Sequence, residues 1–592
     1  MIEGTVYVPY VKRTTLRKWL VYLILFLTGL AVCYFRNMDP ALNPVVFAED
    51  GTWIGLGLTQ GWGWVLLHAR EDYLVVLNVV LLFIATKLSA AFASTPLGLL
   101  AESITFVSFS FYSGIAVFAY SQTKRLAGIA GAILIYLAIL LIPLGNTQNE
   151  IIGRLCQVGF HIPLLSVLLL MLRAKVNTLW RQVFIDVGLL LCAATNPLTV
   201  AICGLYLAMI HLQIRSLKKT ITDNIFLITI LSVLVIYLAP RMTGTGAVTS
   251  PFKPSNLIEA IFGRGLGYPF LFPWYHHLTD PITLAVAALI IAIIVCALVK
   301  EKDKGIRFAM LFVALSTVGT AAATLLMRPG LTSFLDNYKI TFPDRYFMGI
   351  NVLIVMLFIL SCTRLMRHRS FKIPGALGLA SLSVIYLYGT GIIFDFNDAK
   401  QPFPSKYTFQ ESICVTPQRA DGFYLVPVYP YTGWSMTIPG KYVNKDACEF
   451  TSTPYGAEGE SVPNRQMRAT ERLSPDNPIT LKITPLATRQ KADLAKIGIQ
   501  AGTWNVVNHG IALLTLENRN GQKIENQIDL SSLKDNQFFY VDVPMARIVA
   551  ARLTIKSGGG ISIWENLDPQ GQGDSCMIFV FSNNKRIRTP GC

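Results

Sequence analysis

Apolar runs too long for any soluble core recur along most of this chain. A helix needs roughly 18 or more such residues to cross the ~30 Å hydrocarbon layer of a bilayer. Lipid offers no partner to an unpaired backbone N–H or C=O, so each run must be helical. Spans are expected at 19–35, 99–120, 126–144, 158–173, 182–196, 198–213, 225–240, 281–299, 308–327, 346–362 and 374–393. This is a polytopic α-helical membrane bundle of about eleven crossings. Its charged fraction of 15% fits, since soluble chains carry about 25%.

The formal charge of +16 invites a nucleic-acid reading, but its distribution argues against one. Residues 1–393 hold 30 Lys+Arg against 16 Asp+Glu, and residues 394–592 hold 21 against 19. In the first part, 20 of the 30 basic residues fall in the N-terminus and in the segments 122–125, 173–181, 215–224, 300–307 and 363–372. That is the positive-inside pattern. It places the N-terminus in the cytoplasm and the C-terminal region outside, in the periplasm of a bacterial inner membrane, with membrane lipid as surroundings and no nucleic acid as partner. The first run follows Lys12, Arg13, Arg17 and Lys18 but leads into Arg36-Asn37-Met38-Asp39-Pro40, without a small-residue cleavage site. It therefore reads as an uncleaved first span rather than a signal peptide.

Residues 73–93 are apolar enough to cross, yet counting them as a crossing would invert every later loop. They are expected to form a re-entrant or interfacial helix, which is tolerated where the backbone packs on protein. Long outer loops at 36–72, 241–280 and 328–345 are rich in Gly, Pro, Trp and charge. Loops of that length are functional or disordered, and their aromatic content argues for function. A short interfacial helix is expected within 51–67.

Near Phe394 the pattern changes to short alternating runs with turn residues between them: 422–428, 479–483, 511–516, 538–543, 548–555 and 577–581. These read as strands of a sandwich or jelly-roll-like domain. The expected division is 1–393 for the membrane domain and 394–592 for a β-rich periplasmic domain. Cys414, Cys448, Cys576 and Cys592 lie in the second part, and an even number in an oxidising compartment permits two disulfides. Sequence does not choose among the pairings. Proximity along the chain favours Cys414–Cys448 and Cys576–Cys592.

No Gly-rich nucleotide loop, zinc-binding helix or paired Cys motif is present. The candidates for chemistry are charges at the outer membrane face. Glu49-Asp50-Gly51 follows the first span; a carboxylate there suits a general base or equally an N-cap for a helix starting near Thr52. Asp39 precedes proline, which favours a turn. Arg154, Arg328, Lys339 and Arg345 are suited to phosphate, Arg through its planar fork. The plain alternative is snorkelling to lipid headgroups. His161 reads as a packed helix residue. Arg264, Trp274, Tyr275, His276 and His277 suit an acceptor groove or an interfacial aromatic belt. Trp434, Trp504 and Trp564 suit sugar stacking, or a β-sheet core.

A first span, an outer loop carrying Glu49-Asp50-Gly51, many further spans and Asp344-Arg345-Tyr346 opening a late helix together resemble the GT-C class of membrane glycosyltransferases. Size and the C-terminal domain look most like the serotype-converting O-antigen glucosyltransferases of bacteria and phages. The resemblance implies transfer of a sugar, typically glucose, from undecaprenyl phosphate to a hydroxyl of a lipid-linked O-antigen or other envelope polysaccharide, by one inverting displacement. It gives Asp50 or Glu49 the base role and Arg345, with Arg154, Lys339 and Arg328, the donor phosphate. Asp39, Arg264, Trp274, His276, Asp344 and Tyr346 fall in the acceptor groove. It also implies a donor synthase and a donor flippase as partners. Mg²⁺ or Mn²⁺ is left open, because carboxylates are present without a distinctive cage. A lipid-linked saccharide transporter would place charges at mid-membrane and show internal repeats; neither is seen. A polysaccharide polymerase is the other alternative.

Overall fold

The computed structural model describes residues 13–42, 44–70, 73–242, 254–328, 331–334, 344–395, 409–416, 418–419, 421–429, 434–443, 466–483, 493–504, 506–518, 520–545, 548–567, 573–582 and 586–589. They form two compact units. The first comprises residues up to Pro44, Gln60–Phe92 and Leu99–Gln401; the second comprises Val45–Thr59, Ala93–Gly98 and Pro402–Cys592. The expected division at 393 is therefore supplemented by an early segment, Val45–Thr59, that clusters with the C-terminal residues.

The first unit is helical throughout. Among the described residues, six helices are long and apolar enough to cross a membrane, or seven if the bent pair Leu217–Asp223 and Ile225–Arg241 counts as one span. Shorter apolar helices cover Val76–Phe92, Val158–Arg173 and Leu198–Ile214. The strongly apolar helix Asp280–Lys300 has only 28% of its apolar window buried by protein, so its remaining surface needs lipid. The helix of Asp344–Leu365 is 89% buried and forms the centre of the bundle.

The segment Leu100–Leu140 is interrupted at Gly128, whose φ of 74° lies in the left-handed region that glycine adopts without penalty. Tyr112 Oη donates to Ile139 O at 2.6 Å, across 27 positions. In one straight helix those residues would stand about 40 Å apart at 1.5 Å per residue. The segment is therefore a hairpin of two arms, as the expected spans 99–120 and 126–144 require. The first helix, Arg13–Arg36, is bonded to both arms: Ser113 Oγ donates to Phe26 O and Tyr136 Oη to Leu25 O.

Loops sort to two ends of the bundle. At one end Lys175 Nζ donates to Gln122 O at 3.2 Å. There too, Arg173 pairs with Asp186 at 2.6 Å and donates to Asn224, while Arg364 pairs with Glu301 at 2.5 Å. These segments are the basic ones expected to share a side. At the other end lie residues 36–42, 145–157 and 344–347, joined by the contacts described below. The helix Val76–Phe92 is tied to that second end at both of its termini. Asn78 donates to Leu155 O and Cys156 O, Val76 N to Ala194 O, and Ser89 Oγ accepts from Leu99 N. Leu99 precedes Thr105, whose hydroxyl donates to Pro40 O. Starting and finishing at one end is what the re-entrant or interfacial reading requires.

The second unit is a β-sandwich with an added ribbon. Its strands are β1 Phe423–Pro427, β2 Ser435–Pro439, β3 Gln466–Ala469, β4 Ile479–Leu481, β5 Leu494–Gly502, β6 Gly510–Asn518, β7 Lys523–Asp529, β8 Gln537–Met545, β9 Ile548–Gly558, β10 Ser562–Leu567, β11 Gly573–Ser575, β12 Met577–Phe581 and β13 Arg586–Arg588. One sheet runs β11-β10-β5-β12-β13 with β3 on β10 and β8 on β5; the other runs β4-β9-β6-β7. Their shared core holds Ile497, Ile499, Leu514, Leu516, Leu553, Ile563 and Phe579. In β6, Ala512, Leu514 and Leu516 are buried while the residues between them are half-buried, the period-two signature of a strand. Strands β1 and β2 form the separate ribbon. Cys576 is buried and disulfide-bonded. The side chains of Cys414, Cys448 and Cys592 lie outside the described residues, whereas the six described cysteines of the first unit are free thiols.

Candidate functional site

The acidic motif belongs to the second unit. Its helix spans Ala48–Thr59, beginning upstream of the expected Thr52, so Asp50 sits within the first turn rather than at the cap. Carboxylates in a first turn are favoured by the helix dipole. Asp50 is fully buried and Glu49 half-buried. The motif's glycine has a packing reason. A Cβ on Gly51 would lie 2.9 Å from Val428 Cγ1, and one on Gly55 would lie 2.9 Å from Thr437 N. Gly51 and Gly55 share one helical face and let the helix seat directly on the β1–β2 ribbon. Phe47 bridges Tyr429, and Ala48 N donates to Tyr429 O at 2.6 Å. The expected single helix within 51–67 is instead two, the second being Trp62–His68 in the first unit.

At the loop-rich end of the helical unit, three arginine–carboxylate pairs gather among the described residues. Arg154 lies 3.6 Å from Asp39, and Arg264 lies 3.0 Å from Asp344. All four side chains are at most 8% exposed. The third pair, Arg345 with Glu150, is reachable from solvent, at 24% and 32% exposure. Loop positions lock the cluster together. Gly145, at φ 49°, brings its backbone against Asp344, and a Cβ there would lie 2.1 Å from Oδ2. Gly153 likewise approaches Pro40.

Aromatic rings surround the arginines. The Arg264 guanidinium sits 4.1 Å from the Tyr268 ring centre and 4.8 Å from that of Tyr275. Burial pushes both phenols well above the usual tyrosine range, so both remain protonated donors. Glu259, on the irregular helix Glu259–Gly267, has its carboxyl pushed upward, first by burial and then by Asp280. Tyr346 is flanked by two guanidiniums, Arg328 at 4.5 Å and Arg345 at 5.1 Å from the ring centre. Arg328 also donates to Tyr346 Oη at 3.0 Å, and Phe160 meets the ring edge-on. Arg328 is exposed, so among the described residues this corner presents the Arg328 and Arg345 guanidiniums and the Glu150 carboxylate to solvent.

Two residues that sequence reasoning missed hold the floor of the site. Arg36 is fully buried and donates to Gln148 Oε1 at 2.8 Å, to Leu140 O and to Ile142 O. Gln148 Nε2 donates in turn to Arg36 O and Ile393 O. An arginine at the end of the first span that charge sorting expects to face outward runs against the positive-inside rule, and that exception was the available signal. Above them lies a cavity of about 130 Å³ touched by Gly145, Gln148, Tyr268 and Ile393.

The structure thus brings together Asp39, Arg154, Arg264, Arg328, Asp344, Arg345 and Tyr346. It does not bring Trp274 to the arginines: that ring stacks on Tyr388 at 5.1 Å and 13°, and is 38% exposed, in the manner of an interfacial belt. His161 is buried edge-on against Tyr112 at 4.8 Å, as a packed residue would be. Lys339 and the side chain of His276 lie outside the described residues. Among the described residues no group of three or more His, Cys, Asp or Glu is placed to hold a metal ion.

Among solved structures, the arabinosyltransferase EmbB from Mycobacterium smegmatis is similar to this chain. The likeness has a TM-score of 0.32 and 11% identity, and covers 97% of this chain and 66% of EmbB. At that level it transfers neither fold detail nor function, and the chain spans just under two thirds of the length of EmbB. No protein-family model matches the sequence, and the comparison with curated proteins finds no match.

Proposed function

We propose that the protein is a membrane glycosyltransferase of GT-C type that moves a sugar from a polyprenyl phosphate to a hydroxyl of a lipid-linked envelope polysaccharide. The observation that carries this reading is the corner around Tyr346, where, among the described residues, Arg345 and Arg328 offer two guanidiniums and Glu150 one carboxylate. An accessible excess of positive charge at the edge of a lipid-embedded bundle suits a phosphate whose lipid tail stays in the membrane. The buried pairs Arg264–Asp344 and Arg154–Asp39 hold the backbone on which these arginines stand.

In this reading Asp50, or its neighbour Glu49, takes the proton of the acceptor hydroxyl. The hydroxyl oxygen attacks the anomeric carbon in line, and the sugar–phosphate bond breaks with its electron pair passing to the phosphate oxygen. Arg345 and Arg328 stabilise that growing charge. One displacement inverts the anomeric centre. Undecaprenyl phosphate as carrier, glucose as sugar, and O-antigen as acceptor come from the family resemblance, as does the periplasmic placement of the reaction.

The test is the mass of surface glycan in cells expressing wild-type protein or Arg345→Ala, Arg328→Ala, Asp50→Asn or Glu49→Gln variants that insert at normal levels. The added hexose mass should disappear with Arg345→Ala and with at least one of the carboxylate variants. Full modification in all four removes the assignment.

A further inference from the structure

We infer that Glu150 is an intramolecular competitor for the lipid phosphate: it occupies Arg345 in the empty site and reclaims it after transfer, which releases the product. The inference rests on the phosphate-clamp reading above and adds a residue to which that reading gives no role. Of the three acid–arginine pairs in the cluster, two are sealed, with every side chain at most 8% exposed, whereas Glu150 and Arg345 are 32% and 24% exposed. Of the three, this pair opens to a ligand at the lowest desolvation cost, because both its partners keep part of their surface in solvent whereas opening either sealed pair would strand a buried charge. Glu150 also stands where a phosphate would stand, because Arg345 Nη1 donates to Glu150 Oε2 on a guanidinium that also meets Tyr346 and faces Cys156.

Charge accounting gives the pair a purpose. The donor is a phosphodiester with one negative charge. Attack by the acceptor oxygen breaks the anomeric C–O bond, and the freed polyprenyl phosphate is a monoester whose second ionisation lies near pH ~6. It therefore carries between one and two negative charges at neutral pH. Two arginines would hold that product more tightly than the donor and slow turnover. A carboxylate beside Arg345 competes with both, and its return on product departure keeps the site cycling. Glu150 is thus a positioning residue for the phosphate, acting through Arg345.

The experiment uses full-length protein in phosphatidylcholine nanodiscs, with decyl monophosphate as titrant, for wild type, Glu150→Gln, Glu150→Ala, Arg345→Ala and Glu150→Gln/Arg345→Ala. Removing the competing charge should tighten decyl phosphate binding about tenfold in both Glu150 variants, and the gain should vanish in the double variant. If Arg345→Ala weakens binding but neither Glu150 variant tightens it, the competitor role is overturned and the clamp stands. If Arg345→Ala leaves binding unchanged, the clamp fails and the competitor role with it.

Discussion

The Arg264 guanidinium lies 3.0 Å from the Asp344 carboxylate, and both are buried at the loop-rich end of the bundle. The contact joins the long loop segments 241–280 and 328–345 and fixes the start of the most buried helix, so that the next residue, Arg345, turns to the accessible corner. Asn351 reinforces it by donating to Arg264 O and Gly265 O.

Removing one partner of such a pair leaves a charge without compensation. Asp344→Asn is expected to destabilise the protein by about 3–5 kcal/mol. Replacing both residues together, as Arg264→Met with Asp344→Leu, should cost clearly less than the single change. Thermal unfolding in detergent, followed by size-exclusion recovery, measures both.

Much of the helical unit was legible because long apolar runs leave lipid-facing helices as the sole solution. The two arms 99–120 and 126–144 and the placement of residues 73–93 followed from apolar runs and charge sorting, although the break itself falls at Gly128, beyond the expected turn at 122–125. The pairing of the arginines was not legible: Arg345 and Glu150 are 195 positions apart, and nothing local marks one for the other. Nor was the bond between Val45–Thr59 and the β1–β2 ribbon, which depends on two glycines presenting bare backbone on one face. In the sandwich, β5 was missed although it is central. Its Leu-Ala-Lys-Ile-Gly-Ile-Gln-Ala-Gly sequence has weak strand propensity, and its burial comes from neighbours on both sides.

That glycine face gives a second prediction. Gly55→Leu would drive a side chain into the Thr437 backbone, where a Cβ alone meets N at 2.9 Å and O at 3.2 Å. Backbone cannot give way as a flexible side chain does, so a loss of about 1–3 kcal/mol should appear as faster proteolysis of the ribbon. Gly63→Leu, with open space around its Cβ, serves as the control.

Trp504 adopts a left-handed backbone, φ 60°, while 47% exposed. Asp535 holds it there, accepting from Thr503 N at 2.6 Å and Trp504 N at 2.8 Å. Asp535→Ala releases both donors and should cost about 1–3 kcal/mol. Intrinsic tryptophan fluorescence should show a lower midpoint of denaturation for the variant.

Glu259 supplies a pH dependence. Its carboxyl is raised above the ordinary value of 4.5 by burial, with Asp280 adding to it. The folded state therefore prefers the neutral acid. The stability this contributes is fully present below the unfolded value and is lost as pH rises through the higher folded value. Glu259→Gln, neutral at every pH, should flatten that part of the stability profile, as measured by thermal unfolding across the acid range above pH ~4.

The central claim is that Arg345 and Arg328 hold the phosphate of a lipid-linked sugar while a carboxylate of the Glu49–Asp50 pair activates the acceptor. Mass spectrometry of the polyprenyl lipids in cells expressing each variant tests it most directly. With Arg345→Ala or Asp50→Asn, the polyprenyl phosphate–sugar pool should rise several-fold over wild type as the unused donor accumulates. An identical lipid pool in wild-type and Arg345→Ala cells, with equal protein inserted, would contradict the account.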